Sequence, residues 1–190
     1  MARDDWLFDG DRRAIATERL YAMATELIVH DGLDAFSVDT LAARTHCSRA
    51  TIYRYVGGKK DIREAVLART AARIINTVRA SVQSRTGPAR VLTAIEVAVA
   101  EIRSDPAGQL FLDSARVGRG WTWLTASPVV ADFATELTGL AGDDAGAAQW
   151  IVRLVLSLLF WPDADAQAEH QMLERFVAPA FAESGESQSS

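Results

Sequence analysis

Residues 37–62 read SVDTLAARTHCSRATIYRYVGGKKDI, a stretch that packs two helix starts, one tight turn and a run of cationic and aromatic side chains together. Ser37 carries the hydroxyl an N-cap needs, and Asp39 follows in the first turn, where the helix dipole favours a carboxylate. The spacing predicts a helix over 38–45: Val38, Leu41 and Ala42 share one face, while Asp39, Thr40 and Arg44 point elsewhere. Thr45, His46 and Cys47 make the turn. Ser48 offers a second cap, and a second helix is expected over 49–55, with Ile52 inward and Arg49, Ala50, Thr51, Tyr53 and Arg54 outward. Two short helices joined by such a turn constitute a helix-turn-helix.

The second helix of this unit enters the major groove of DNA N-terminus first. Ser48, Arg49, Ala50 and Thr51 are therefore expected at base edges, with Tyr53, Arg54 and Lys59 nearer phosphates. Ser37, Thr40 and Thr45, on and beside the first helix, complete the candidate DNA-contacting set. Arg49 is the candidate guanine reader, because its planar fork matches the O6 and N7 acceptors of that base. Lys59 is a point charge suited to a phosphate oxygen. Taken singly, these side chains would be a solvated helix face; the pattern around them points to DNA.

That pattern resembles the TetR family of bacterial transcriptional regulators, whose signature runs T-x-x-x-I-A-x-x-A-G-V-S-x-x-T-L-Y-x-Y-F-x-x-K-x-x-L. Leu41-Ala42, Cys47-Ser48, Thr51-Ile52-Tyr53, Tyr55, Lys59 and Ile62 answer it in type and spacing. His46 stands where the family has Gly in the turn, so a positive φ is expected there, and Val56 stands where an aromatic is usual. The resemblance covers about a third of the chain. It implies an all-α fold: an N-terminal three-helix DNA-binding head, joined by a long helix to a C-terminal helical body for ligand binding and dimerisation. It also implies a homodimeric repressor gripping a near-palindromic double-stranded operator and releasing it when a small molecule enters the body.

The net charge of the 190 residues is −5, yet the charge is uneven. Residues 1–80 hold 13 Lys/Arg against 11 Asp/Glu, residues 81–190 hold 7 against 14, and between Arg44 and Arg79 the balance is 9 against 2. A basic patch thus sits on and just after the helix-turn-helix of an otherwise acidic chain. A hydrophobic content of 49% supports a sizeable core. The single cysteine, Cys47, excludes an intramolecular disulfide and fits a reducing, cytoplasmic setting, and three scattered histidines give no metal-ligand spacing. No cofactor is implied. The start MARDDWLFDGDRR is acidic where a signal peptide is basic, and the longest apolar run, 154–161, is too short to cross a bilayer, so no membrane partner is expected.

Along the chain, 1–11 reads as a flexible arm and 12–60 as the DNA-binding head, its first helix over 12–31 ending at Gly32. The body is expected over 61–182 and a disordered tail over 183–190. Within the body, helices are predicted over 61–84, 89–104, 107–117, 128–140 (Ser127 capping, Pro128 at N1), 147–161 and 163–181, nine in all with the head.

The connector after Gly118 carries Trp121 and Trp123, an unusual aromatic density. With Phe111 and Phe133 these rings either wall a cavity for a mostly apolar, drug-sized ligand or fill the core beneath a loop. Asp113 and Arg116 are the candidate polar anchors, with Glu96 and Arg103 nearby. Trp150, Arg153, Leu156, Phe160, Phe176 and Val177 form the candidate dimer face, with burial in their own domain as the alternative. His30 and His170 read as surface residues, and Cys47 as a small buried turn residue. Two other function classes stay open: an effector-free DNA-binding regulator gated by a protein partner or by oxidation of Cys47, and, remotely, an all-α enzyme. Against the enzyme, no nucleophile with a neighbouring base, metal-ligand set or phosphate-cradling loop can be found.

Overall fold

The structure, a computed structural model, describes residues 5–117, 134–136, 145–163 and 165–182. These residues form eight α-helices, α1 (Asp5–Asp31), α2 (Val38–Thr45), α3 (Arg49–Val56), α4 (Lys59–Val82), α5 (Gly87–Ser104), α6 (Pro106–Val117), α7 (Ala145–Phe160) and α8 (Ala166–Phe176), and a closing 3-10 turn, Ala178–Phe181. No strand occurs among them, so the all-α expectation holds. No described helix is long and apolar enough to cross a membrane. The helix expected over 128–140 lies outside the described residues apart from 134–136, which are helical.

By their internal contacts the residues divide into two units, one up to Ala71 and one from Ala72 onward. α4 therefore belongs to both. Its early residues Ile62 and Val66 are fully buried within the first unit, which is why that unit runs past the expected boundary at residue 60.

The first unit is the three-helix head. α1 begins at Asp5, inside the stretch read as a flexible arm, because nothing between Asp5 and Arg12 breaks the helical backbone except Gly10, a tolerated cost of about 1 kcal/mol. Leu20, Ala24, Leu27 and Ile28 of α1 are buried, as are Leu33 and Phe36 in the link, Val38 and Leu41 of α2, and Ile52 and Val56 of α3. Ile15 of α1 is exposed; the apolar stripe of this helix turns inward only from Leu20. α1 packs against both α2 and α3. Arg69 ties α4 back to α1, paired with Glu18 and lying 4.8 Å from the centre of the Tyr21 ring.

The second unit has a core in which α5 (Val91, Leu92, Ile95, Val99), α7 (Ile151, Leu158, Leu159) and α8 (Leu173) meet Val177 and Phe181. On another side of α5, Ala94 packs with Ile74, Val78 and Val82 of α4. The stretch expected as one helix over 163–181 is instead α8 followed by the 3-10 turn, with Asp165 capping α8 through the Ala168 N–H at 2.8 Å. Pro179, which cannot donate a backbone hydrogen bond, explains the change of helix type.

Candidate nucleic-acid interface

Each element of the helix-turn-helix is fixed by its own local chemistry. Ser37 Oγ accepts the Thr40 N–H at 3.1 Å and Ser48 Oγ accepts the Thr51 N–H at 3.1 Å, so both helices start at their serine caps. The two serine hydroxyls also bond the hydroxyls of Thr40 (2.8 Å) and Thr51 (2.9 Å). Between the helices, the His46 N–H reaches the Ala43 carbonyl and the Cys47 N–H reaches the Ala42 carbonyl, the paired bonds of a Schellman motif. The residue at its centre must be left-handed, and His46 is, at φ 54° and ψ 33°, as its replacement of glycine predicts.

α3 stops at Gly57, whose φ of 80° suits glycine; a Cβ there would stand 2.6 Å from Asp61 Oδ2. Asp61 needs that space, because its carboxylate reaches back to accept the Gly58 N–H at 2.8 Å and so caps the start of α4. Lys59 Nζ donates to the Asp34 carbonyl at 2.8 Å, which anchors α4 to the α1–α2 link and leaves two ammonium protons for a further acceptor.

The outward face of α3 carries Arg49, Ala50, Tyr53 and Arg54, all exposed, with Thr51 half-exposed. Tyr53 is 50% exposed, which is costly for a ring unless it has a partner. Arg49 Nε lies 3.0 Å from Asp39 Oδ1 of α2. Both side chains are solvated, so the pair contributes little stability; it orients the guanidinium through Nε and leaves both Nη groups outside this contact. The Thr45 hydroxyl donates to the Leu41 carbonyl at 2.7 Å, within the last turn of α2. Cys47 is half-buried, its thiol 3.5 Å from the Thr45 carbonyl.

The model of bacterial regulatory proteins of the tetR family matches residues 20–66, from the second half of α1 to the buried start of α4. Along nearly its whole length the chain is similar to an uncharacterised helix-turn-helix transcriptional regulator of Mycobacterium tuberculosis: 30% identity over 185 residues, covering 94% of this chain and 91% of the relative. The chain belongs to the TetR family. Over 58 residues it is also 40% identical to the DNA-binding transcriptional repressor TetR of Mycobacteroides abscessus, covering 30% of this chain and 29% of that one. Two solved TetR-family structures share the fold. A regulator from Pectobacterium atrosepticum superposes with TM-score 0.67 at 20% identity over 90% of this chain and 97% of its own. The repressor AlkX from Dietzia, implicated in biodegradation of n-alkanes, gives 0.56 at 18% over 85% and 92%.

In the body of this TetR-family chain the residues expected to bind ligand fall largely outside the description. Trp121, Trp123 and Phe133 are not among the described residues, and Phe111, Asp113 and Arg116 lie on α6 with side chains outside the description. What is described is a cavity of about 340 Å³ whose polar wall is Glu96 and Arg103, both named from the sequence as nearby polar groups, with Glu169 and His170, and whose apolar wall includes Val99, Leu158 and Leu173. Its charges are mutually satisfied. Glu169, buried, accepts from both terminal nitrogens of Arg103 (2.8 and 2.7 Å) and from the Asp163 N–H (3.1 Å), while Arg103 also donates to the Leu158 carbonyl. The Arg103 guanidinium holds the Glu169 carboxyl below the usual carboxylate range. His170, read as a surface residue, is half-buried: its Nδ1 lies 2.5 Å from Glu96 Oε1, which raises the imidazole pKa above its ordinary value, and Nε2 is 3.3 Å from Glu174. Neither pair was legible in sequence, since 66 and 74 residues separate the partners.

The candidate dimer face divides. Trp150 (44%) and Phe176 (66%) are exposed, as is Arg153, and Trp161, outside the expected face, is the most exposed large apolar residue among the described residues at 77%. Leu156 and Phe160 are half-buried. Val177 is a correction: at 3% exposure it lies inside the α5–α7–α8 core, because the helix ends at Phe176 and the chain turns inward there.

Proposed function

We propose that this TetR-family DNA-binding regulator is a homodimeric repressor, released from a near-palindromic operator when a small, mostly apolar molecule binds its C-terminal unit. The observation that carries the DNA-reading part is the solvated face of α3, where Arg49, aimed by Asp39, stands beside Thr51, Tyr53 and Arg54 on a helix fixed at both ends by its caps. A groove-reading helix needs that combination of donors on a rigid backbone. Dimerisation is supported by the exposed rings of Trp150, Trp161 and Phe176, and ligand release by the aromatic connector read in the sequence. α4, shared by both units, is the covalent path along which occupancy of one would alter the other.

Selection of duplexes from a randomised pool by the full-length protein tests the reading. Two inverted half-sites centred roughly 34 to 36 Å apart are expected, and enrichment of no sequence would overturn it. Release is tested by screening apolar compounds for loss of the selected duplex. A compound bound equally by free and DNA-bound protein would refute the coupling, since linkage acts reciprocally.

A further inference from the structure

Several cations of the head have carboxylate partners: Arg49 with Asp39, Lys60 with Glu64, Arg63 with Asp34 and Arg69 with Glu18. Arg13 of α1 and Arg54 of α3 are different. Among the described residues neither has an ion-pair partner, and both guanidiniums are instead gathered at the ring of Tyr55, at 5.5 and 5.2 Å from its centre. Both side chains are exposed, and Tyr55 is half-buried on α3. The ring face attracts each cation and offsets part of their mutual repulsion, but it does not neutralise them. A pair of guanidiniums at the surface, with no acid beside it among the described residues, is one member short of a charge-balanced cluster, and that member is an anion.

The position of the pair on α3 says which anion. An eight-residue helix is about 12 Å long, close to the width of the major groove of about 12 Å. With Arg49 at the N-terminal end among the bases, Arg54 and Tyr55 lie about 8 to 9 Å further along the axis, at the sugar-phosphate wall. We propose that Arg13, brought to this end of α3 by the packing of α1 on α3 and held there by the Tyr55 ring, joins Arg54 in a second phosphate-binding patch that grips the DNA backbone beside the half-site. The proposal rests on α3 being the groove-reading helix. A guanidinium pair offers forked donors to phosphate oxygens and reads no base, so Arg13 adds affinity and fixes register without altering sequence preference.

The test uses the full-length protein, a duplex selected from the randomised pool, and a scrambled duplex of equal length. Arg13→Gln is expected to lower the slope of log affinity against log salt by about 0.9 per contact, or about 1.8 with both heads of a dimer bound, on both duplexes alike. Arg13→Lys, which keeps the charge, is expected to restore most of the slope. A purely structural brace between α1 and α3 would lower the melting temperature and leave the slope unchanged, and that result overturns the proposal. Should Arg13→Gln fail to fold, the unmutated protein is titrated with duplexes carrying neutral methylphosphonates just outside the half-site: weakened binding supports the patch, unchanged binding sinks it. Arg49→Ala in the same series separates the two ideas. If it leaves base preference intact while Arg13→Gln still flattens the slope, the orientation of α3 is wrong and the anion site stands.

Discussion

His46 holds a left-handed backbone that glycine adopts freely and most residues resist, at the centre of a turn whose two hydrogen bonds require it. His46→Gly should therefore raise the stability of the head by about 0.5 to 1 kcal/mol, the relief of strain exceeding the extra flexibility glycine gives the unfolded chain. Chemical denaturation checks it; a loss of stability would mean that the imidazole makes a contact worth more than the strain. Arg49 poses the opposite case, since its pair with solvated Asp39 contributes little to folding. Arg49→Ala should leave the melting temperature near its original value. It should cost about 1 to 3 kcal/mol in operator affinity and relax preference at one base position. Competition with single-base variants of the selected duplex measures this, and equal weakening on all of them would remove Arg49 from the bases.

At the level of elements, α5 and α8 are joined by two charge pairs that should respond to pH in opposite senses. The Glu169 carboxyl is depressed by Arg103, so its contribution is present above the ordinary carboxylate pKa of about 4.3 and is lost as pH falls through the lower folded value. Glu169→Gln, which leaves the Arg103 fork half-satisfied, should destabilise the body by about 1 to 3 kcal/mol at pH 7, the difference shrinking in acid. The His170 imidazole is raised by Glu96, with Glu174 assisting. Its contribution is complete below the ordinary value of about 6.5 and is lost as pH rises through the higher folded value. Unfolding midpoints at pH 6 and pH 9 should therefore fall further in the unmutated protein than in His170→Gln. A parallel fall in both proteins would show that the Glu96 contact contributes no net stability.

For the whole molecule, the exposed rings of Phe176, Trp150 and Trp161 need a partner surface to be quiet in solution. Phe176→Glu places a charge on that face without touching the core, where Val177 lies, and should yield folded monomers with weakened operator binding. Analytical ultracentrifugation decides this: an unmutated protein that sediments as a monomer at micromolar concentration would end the dimer reading.

By itself the sequence determined the helix-turn-helix, because everything that makes one is local. Ser37 and Ser48 each cap the helix that follows by accepting an N–H three residues ahead, His46 sits where the turn demands positive φ, and Val38 and Leu41 on one helix and Ile52 on the next fall on the inward faces. The start of α1 and the split of 163–181 into α8 and a 3-10 turn were less legible, since helix ends depend on competing weak preferences. What only the tertiary structure decided are the long-range pairings. Arg13 reached Tyr55, Glu169 reached Arg103 and His170 reached Glu96 because packed helices bring distant side chains together, and no spacing along the chain encodes which charges will meet. The same reason separates Val177 from Phe176: neighbours in sequence, both apolar, they are sent to the core and to the surface by the end of one helix.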